Sequence, residues 1–436
     1  MGKIGEGKNP THQVKKLDDD AVREFRDRFR IPVPDDRLGE VPFYKPAPNS
    51  DEMKYLLERR RALGGFLPQR RRTADEKLAV PGLDAFNAIV EPTAEGREIS
   101  TTQAFVRFLT QLVRDKAVGN RVVPIIPDEA RTFGMEGMFR QLGIFSQQGQ
   151  LYEPVDRDQV MYYREDKAGQ ILEEGINEAG AMADWIAAAT SYSTNNRAMI
   201  PFYIYYSMFG FQRFGDLAWL AGDMQARGFL LGGTAGRTTL NGEGLQHQDG
   251  HSHIQSSVIP NCVSYDPTFA HEVAVILQAG LKRMIENQEN VWYYVTLMNE
   301  SYPHPGLKKG QEEGILRGMY RLREGPAGSG MGASIPRVQL LGSGTILREA
   351  IAAAELLERD WGVSGDVWSV TSFTELRRDG MDTERWNLLH PAEKPRKAYA
   401  TQQLERTAGP IIAATDYMRL FADQIRAYVP RGREYR

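Results

Sequence analysis

The chain has 436 residues, too many for one ordinary core, so two or three domains are expected. Apolar residues make up 41% and charged residues 25%, a normal balance for a globular chain, and the formal charge of -3 gives no global reason to expect a nucleic-acid partner. No run of about eighteen apolar residues exists, and MGKIGEGKNPTHQ lacks the apolar core of a signal peptide, so the expectation is a cytoplasmic protein without a membrane partner. The single cysteine, Cys262, has no partner for an intrachain disulfide and reads as a buried, inert thiol near a strand end.

Residues 1–16 are glycine-rich and basic and read as a mobile loop. DDDAVREFRDRFR (18–30) reads as a short helix with Val22, Phe25 and Phe29 on one face, acids at its start and arginines at its end. Five prolines between Ile31 and Pro48 make that stretch largely extended. Another helix follows in 50–80, with the arginine cluster Arg70-Arg71-Arg72, which reads as solvated surface.

From about Leu83 strands and helices alternate. TTQAFVRFLTQLVRD (101–115) is an amphipathic helix, and VVPIIPDEA (122–130) a buried strand that ends in acids. An alanine-rich helix over 178–191 precedes an aromatic strand over 199–209. FLLGGTAG (229–236), CVSYDP (262–267) and VWYYVTLMNE (291–300) read as strands, and HEVAVILQAGLKRMIE (271–286) as a helix. Such alternation implies a parallel sheet covered on both faces, with its site at the carboxyl ends of the strands. Glu129, the loop after Phe209 and Asn299-Glu300 should meet there. After the turn-rich PHPGLKKGQEEG (303–314), a second unit runs through RVQLLGSGTILREAIAAAELLERDWG, DVWSVTSF and PIIAATDYMRLFADQIRAYV, with no closing strand evident.

Three features carry candidate chemistry. Glu178 opens the alanine-rich helix; alone it could simply favour the helix N-terminus. PFYIYYSMFGF (201–211) brings three tyrosines into a buried strand, where each hydroxyl needs a partner that a polar cavity could provide. NGEGLQHQDGHSHIQ (241–255) crowds Glu243, His247, Asp249, His251 and His253 together. Its glycines argue against a helix presenting zinc ligands and favour a loop offering imidazoles to a carboxylate substrate. GSGTIL (342–347) lacks the third glycine of a dinucleotide fingerprint and reads as a tight turn.

The stretches DEARTFGMEGMFRQLGI, LEEGINEAGA, TSYSTNN, PFYIYYSMFGFQRFGDLAW, GTAGRTTLNGEGLQHQDGHSH and VTSFTELRRDG closely resemble the homodimeric pyruvate dehydrogenase component of bacteria, a transketolase-like, thiamine-diphosphate-dependent family. The resemblance implies an α/β, transketolase-like fold with two parallel-sheet domains, the second incomplete, after an extended and helical N-terminal arm. It divides the chain into an arm over 1–82, a pyrimidine-binding domain over 83–305 and a C-terminal domain over 306–436. The metal signature of that superfamily, Gly-Asp-Gly, has no match here, so the chain resembles an internal portion of the full enzyme. The diphosphate- and Mg²⁺-binding domain is then expected on other residues, with no metal ligands in this chain.

The implied activity is oxidative decarboxylation of pyruvate with reductive acetylation of the lipoyl group of dihydrolipoamide acetyltransferase. The implied assembly is a homodimer docked on that acetyltransferase core. By resemblance, Glu178 hydrogen-bonds a ring nitrogen of the aminopyrimidine and favours its imino tautomer, while Tyr206 and Phe209 pack on the ring. Strict alternation would put those two on opposite faces, so the strand must end or bend before Phe209. Glu129, Glu243 and His247 face the reacting centre. Lys8, His12 and Lys15, in GKNPTHQVKK, belong to the loop that closes over the site and assists transfer to the lipoyl domain. A fragment inert on its own, a transketolase acting on sugar phosphates and a zinc hydrolase are the alternatives. A Glu178 locked in a salt link away from any crevice would remove the first reading.

Overall fold

Alternating apolar strands and amphipathic helices build two main sheets, beside a two-stranded one pairing Ile144–Phe145 with Glu165–Asp166, and the computed structural model describes residues 2–66, 70–127, 130–155, 163–240, 243–327 and 335–436. The chain forms two compact units, Met1–Arg70 and Arg71–Arg436.

In the first unit, the helix Asp19–Arg28 is capped by Asp18, whose carboxylate accepts from the backbone N–H of Ala21 at 2.8 Å. The expected apolar stripe does not bury itself: Phe25 and Phe29 stay 40% and 57% exposed and pack on each other at 4.7 Å. The unit offers little to cover them, since Ala21 and Leu38 are its buried apolar residues among those described. The 1–16 segment, expected as a loop, contains short helical turns at Gly2–Gly5 and Asn9–Gln13. The proline-rich stretch is irregular apart from a 3-10 turn at Asp35–Glu40. A second helix, Asp51–Ala62, starts on Ser50.

The arm expected over 1–82 divides at residue 70, because 71–82 belongs to the second unit. Ala74 exchanges two hydrogen bonds with the Gln288 amide, at 2.7 and 3.0 Å. Arg121 clasps Glu76 through both carboxylate oxygens, and Leu78 enters the main core.

The first sheet has six parallel strands: β1 Val122–Ile126, β2 Leu172–Glu173, β3 Ile200–Tyr206, β4 Phe229–Gly233, β5 Cys262–Tyr265 and β6 Trp292–Thr296. Their order across the sheet is β2-β1-β3-β4-β6-β5. The strands β1, β3, β4, β5 and β6 are almost entirely buried, as a parallel sheet covered on both faces requires. Helix Thr101–Leu112, capped by Ser100, sends Phe105, Phe108, Leu109 and Leu112 into that core at helical spacing. Each such side chain contributes roughly 1.5–3 kcal/mol by leaving water.

The second sheet contains β7 Tyr320–Arg323, β8 Arg337–Gly342, β9 Ser364–Ser369 and β10 Ile411–Ala414 in the order β10-β8-β9-β7. Three strands are parallel, and β7 joins the edge antiparallel to β9. Its sequence, YRLR, is too short and too polar to announce a strand. Residues 434–436 hydrogen-bond along β10, through Ile411 and Ala413.

The two sheets share a buried joint. Glu272, in the helix Ala270–Leu281, is fully buried. One carboxylate oxygen accepts from the backbone N–H groups of Thr268 and Phe269 at 2.7 and 2.9 Å. The other accepts from the Tyr320 hydroxyl on β7 at 2.7 Å and the Ser369 hydroxyl on β9 at 2.6 Å.

Candidate active site

β3 ends at Tyr206, and the chain then turns through a 3-10 segment, Ser207–Phe209. That turn brings Tyr206 and Phe209 to one side, with ring centroids 6.0 Å apart, and resolves the conflict with strict alternation. Gly210 makes it possible: a Cβ there would sit 2.3 Å from Cε2 of the buried Tyr205. Helix Phe211–Asp223 leaves from this glycine and carries Arg213.

Opposite, Asn177 caps the helix Glu178–Ala189 by accepting from the Gly180 N–H at 3.0 Å. Glu178 occupies the first turn, where the positive end of the helix dipole favours its charge. A cavity of about 230 Å³ lies between these elements, lined by Pro127, Glu178, Tyr203, Tyr206, Phe209 and His247 among others. Complete small-molecule pockets run to about 300–1,000 Å³, so this one suits a single heterocyclic ring rather than a whole coenzyme.

Glu178 is in a salt link, but inside the cavity. Its Oε1 accepts from Arg213 Nη1 at 2.6 Å, and its side chain is 17% exposed. The guanidinium lies over Phe209, its carbon 4.0 Å from the ring centre. The Tyr203 phenol is pushed well above its usual pKa, first by burial and then by the Glu178 charge. Tyr205 also lines the cavity, and its hydroxyl is buried without a hydrogen-bond partner among the described residues.

His247 closes a third side, 4.9 Å from the Tyr206 ring and 5.1 Å from that of Phe209. Its Nδ1 is 3.5 Å from Glu243 Oε2, within ion-pair reach but without hydrogen-bond geometry. Glu129 lies outside the described residues. At the strand ends the Tyr206 hydroxyl donates to Thr132 Oγ1 at 3.3 Å, and the Asn299 amide to the Thr132 carbonyl at 3.2 Å. Glu300 instead pairs with Arg348 at 2.7 Å.

Lys8, His12 and Lys15 belong to the first compact unit and are exposed. Arg213 is the site residue that sequence reasoning passed over. The available signal was its spacing, four residues after Phe209, which suits a cation over a ring on a helical turn.

The histidine-rich segment does not act as one group. His253 leaves the cavity and is fully buried between Tyr417, Phe421 and Tyr294. Its Nε2 lies 3.1 Å from Thr296 Oγ1, which donates to Asp266 Oδ1 at 2.6 Å. Asp249 is also buried and accepts from the N–H groups of His251 and Ser252 and from the Ser207 hydroxyl. Asp416 takes the N–H groups of Arg237 and Thr238, at 2.6 and 2.8 Å, and the Met418 N–H bonds the Gly250 carbonyl at 2.9 Å. Thus both ends of the loop bearing Glu243 and His247 are tied to residues after 410. Cys262 is buried, and burial pushes its thiol pKa up.

Burial raises Asp266 to about 7, with Asp416 and Asp249 adding to the rise, while burial lowers His253 to about 4 against the pull of Asp249. The two act oppositely on stability. Folded Asp266 holds its proton more tightly than the unfolded chain does, so its contribution falls as pH rises from about 4 to 7. Folded His253 resists protonation, so its contribution is lost as pH falls from about 6.5 to 4. Between about 4 and 6.5 the slopes offset in the native chain. His253→Gln should therefore gain stability on acidification through that window, and Asp266→Asn should lose it, each by up to about 1.4 kcal/mol per pH unit. Denaturant midpoints at several pH values check this; slopes of the same sign in both variants would contradict it.

Known proteins resemble this chain along nearly its whole length. Residues 78–305 match the family described as the pyruvate dehydrogenase E1 component middle domain, and 318–434 match the transketolase-like C-terminal domain. A pyruvate dehydrogenase E1 component of Pseudomonas aeruginosa is 62% identical over 432 residues, 99% of this chain and 48% of the relative. That of Escherichia coli K12 is 59% identical over 433 residues, again 99% and 48%. The chain thus spans about half the length of the curated relatives it matches. Among solved structures, transketolase from Campylobacter jejuni aligns with TM-score 0.55 at 16% identity, over 94% of this chain and 53% of that one. Transketolase from Leishmania mexicana aligns with TM-score 0.55 at 15% identity, over 95% and 49%. These last two likenesses establish a shared transketolase-like α/β fold. With the middle-domain model covering more than half of its residues, the chain belongs to the pyruvate dehydrogenase E1 component family.

Proposed function

We propose that this chain supplies the aminopyrimidine-binding and C-terminal portions, over 83–305 and 306–436, of a thiamine-diphosphate-dependent pyruvate dehydrogenase. The whole enzyme would decarboxylate pyruvate oxidatively and acetylate the lipoyl group of dihydrolipoamide acetyltransferase. The observation that carries this reading is the Glu178 carboxylate facing an aromatic-walled cavity sized for one ring.

Thiamine diphosphate, when bound, supplies an electron-accepting ring for cleavage of the bond between the carboxylate and keto carbons. The residues of this chain act around it. Glu178 holds a proton at a ring nitrogen, in surroundings whose low polarity strengthens that bond. Tyr206 and Phe209 stack against the ring, and the buried Tyr203 and Tyr205 exclude water beneath it. His247, with Glu243 beside it, offers a proton donor and acceptor toward the substrate side, as does Glu129. Lys8, His12 and Lys15 belong to the loop that receives the lipoyl domain. We assign Mg²⁺ to residues outside this chain, as the missing Gly-Asp-Gly signature implies, and route no step through it. Two copies form the working dimer, in the cytoplasm.

The test is complementation. Purified chain receives pyruvate, thiamine diphosphate, Mg²⁺ and an artificial electron acceptor, alone and together with the N-terminal half of the Pseudomonas aeruginosa relative. Turnover that requires the mixture supports the proposal; none in the mixture, with both parts folded, overturns it. In the same mixture His12→Ala should impair acetylation of a lipoyl domain more than acceptor-linked turnover, and equal losses would remove His12 from that role.

A further inference from the structure

The guanidinium of Arg213 holds both features that the proposed ring would use. It donates to Glu178 Oε1 at 2.6 Å and covers the face of Phe209 at 4.0 Å. All three side chains line the one cavity. A guanidinium is flat, cationic and rich in in-plane N–H donors. A protonated 4-aminopyrimidine presents the same chemistry: a flat ring, delocalised positive charge and N–H groups in the ring plane. One carboxylate oxygen and one aromatic face cannot serve both at full strength.

We propose that Arg213 is a built-in competitor of the aminopyrimidine, an internal stand-in that must swing aside when the ring binds. This rests on the ring-binding reading above. The side chain is suited to leave. It is 46% exposed, so water receives its charge on departure. It also sits at the start of its helix, one residue before Phe214, whose backbone departs from helical angles (φ -122°, ψ 24°). Its displacement leaves Glu178 as an unpaired anion in a largely apolar cavity, which raises that carboxylate's preference for a ring carrying positive charge. Arg213 thus sets the affinity of the site and keeps Glu178 paired in its absence.

The strength of the two contacts fixes the expected effect. A half-exposed ion pair and a partly solvated cation–aromatic contact together correspond to about a five- to tenfold change in affinity. The experiment titrates the 436-residue chain with 4-amino-2-methylpyrimidine and with thiamine, following ligand resonances by NMR. Arg213→Gln is expected to bind both about five- to tenfold more tightly than the native chain. Added salt, which screens the exposed pair, should narrow that difference. Arg213→Lys, cationic but not planar, should fall between the two. Weaker or unchanged binding by Arg213→Gln overturns the competitor while leaving the ring site standing, provided Glu178→Gln abolishes binding. Binding indifferent to Glu178→Gln sinks the ring site itself and the competitor with it.

Discussion

Glu178→Gln is expected to keep the fold and lose the chemistry. The side chain sits in the first turn of its helix and is partly exposed, and among the described residues it pairs with the half-exposed Arg213. Loss of that pair and of the charge at the helix end costs about 1 kcal/mol, so thermal unfolding of a chain this long should move by only about one degree. Glutamine keeps the shape and can still accept from Arg213. It cannot carry the negative charge that stabilises a protonated ring nitrogen. Positioned proton transfer is worth about 10²–10⁴-fold, and the acceptor-linked turnover of the enzyme containing this chain should drop by that order. Near-native turnover with an unchanged melting curve would remove Glu178 from the mechanism.

The second large effect lies away from the cavity. Glu272→Ala would strand four donors that now converge on one buried carboxylate: two backbone N–H groups and the hydroxyls of Tyr320 and Ser369. Each unsatisfied buried group costs about 1–3 kcal/mol, and removal of a buried charge that holds its partners in place typically costs about 3–5 kcal/mol in all. Because Tyr320 and Ser369 belong to the second sheet, the loss falls on the joint between the sheets. Calorimetry should show a lower and broader transition, tending to split in two. A loss under about 1 kcal/mol, with one sharp transition, would mean the joint is held by apolar packing alone.

Much of this was readable from residues. The parallel sheet followed from buried runs such as VVPII and WYYVT alternating with amphipathic helices, and the candidate cavity lies at the carboxyl ends of the strands. The family's pairing of Tyr206 with Phe209 demanded a bend that strict alternation could not supply, and the 3-10 turn after Tyr206 is that bend. Other features were hidden for physical reasons. The Phe25–Phe29 stripe has helical spacing, yet spacing says nothing about whether enough apolar surface exists to cover it. The edge strand β7 pairs across more than forty residues, and its four residues carry no period. Arg213 meets Glu178 across 35 positions, a closure that only the fold reveals. The split of the histidine cluster, with His247 facing the cavity and His253 wedged among Tyr294, Tyr417 and Phe421, likewise depends on which way a glycine-rich loop turns.

The ties between that loop and the residues after 410 limit how such proteins can be recombined. Asp416 and Met418 hold the loop backbone from the far side, and Tyr417 and Phe421 seat His253. A chimera that kept the loop bearing His247 and Glu243 but took its last hundred or so residues from a distant transketolase would lose the seat on which that loop depends. The two stretches therefore travel as one part, and a recombination library should cut outside both rather than between them.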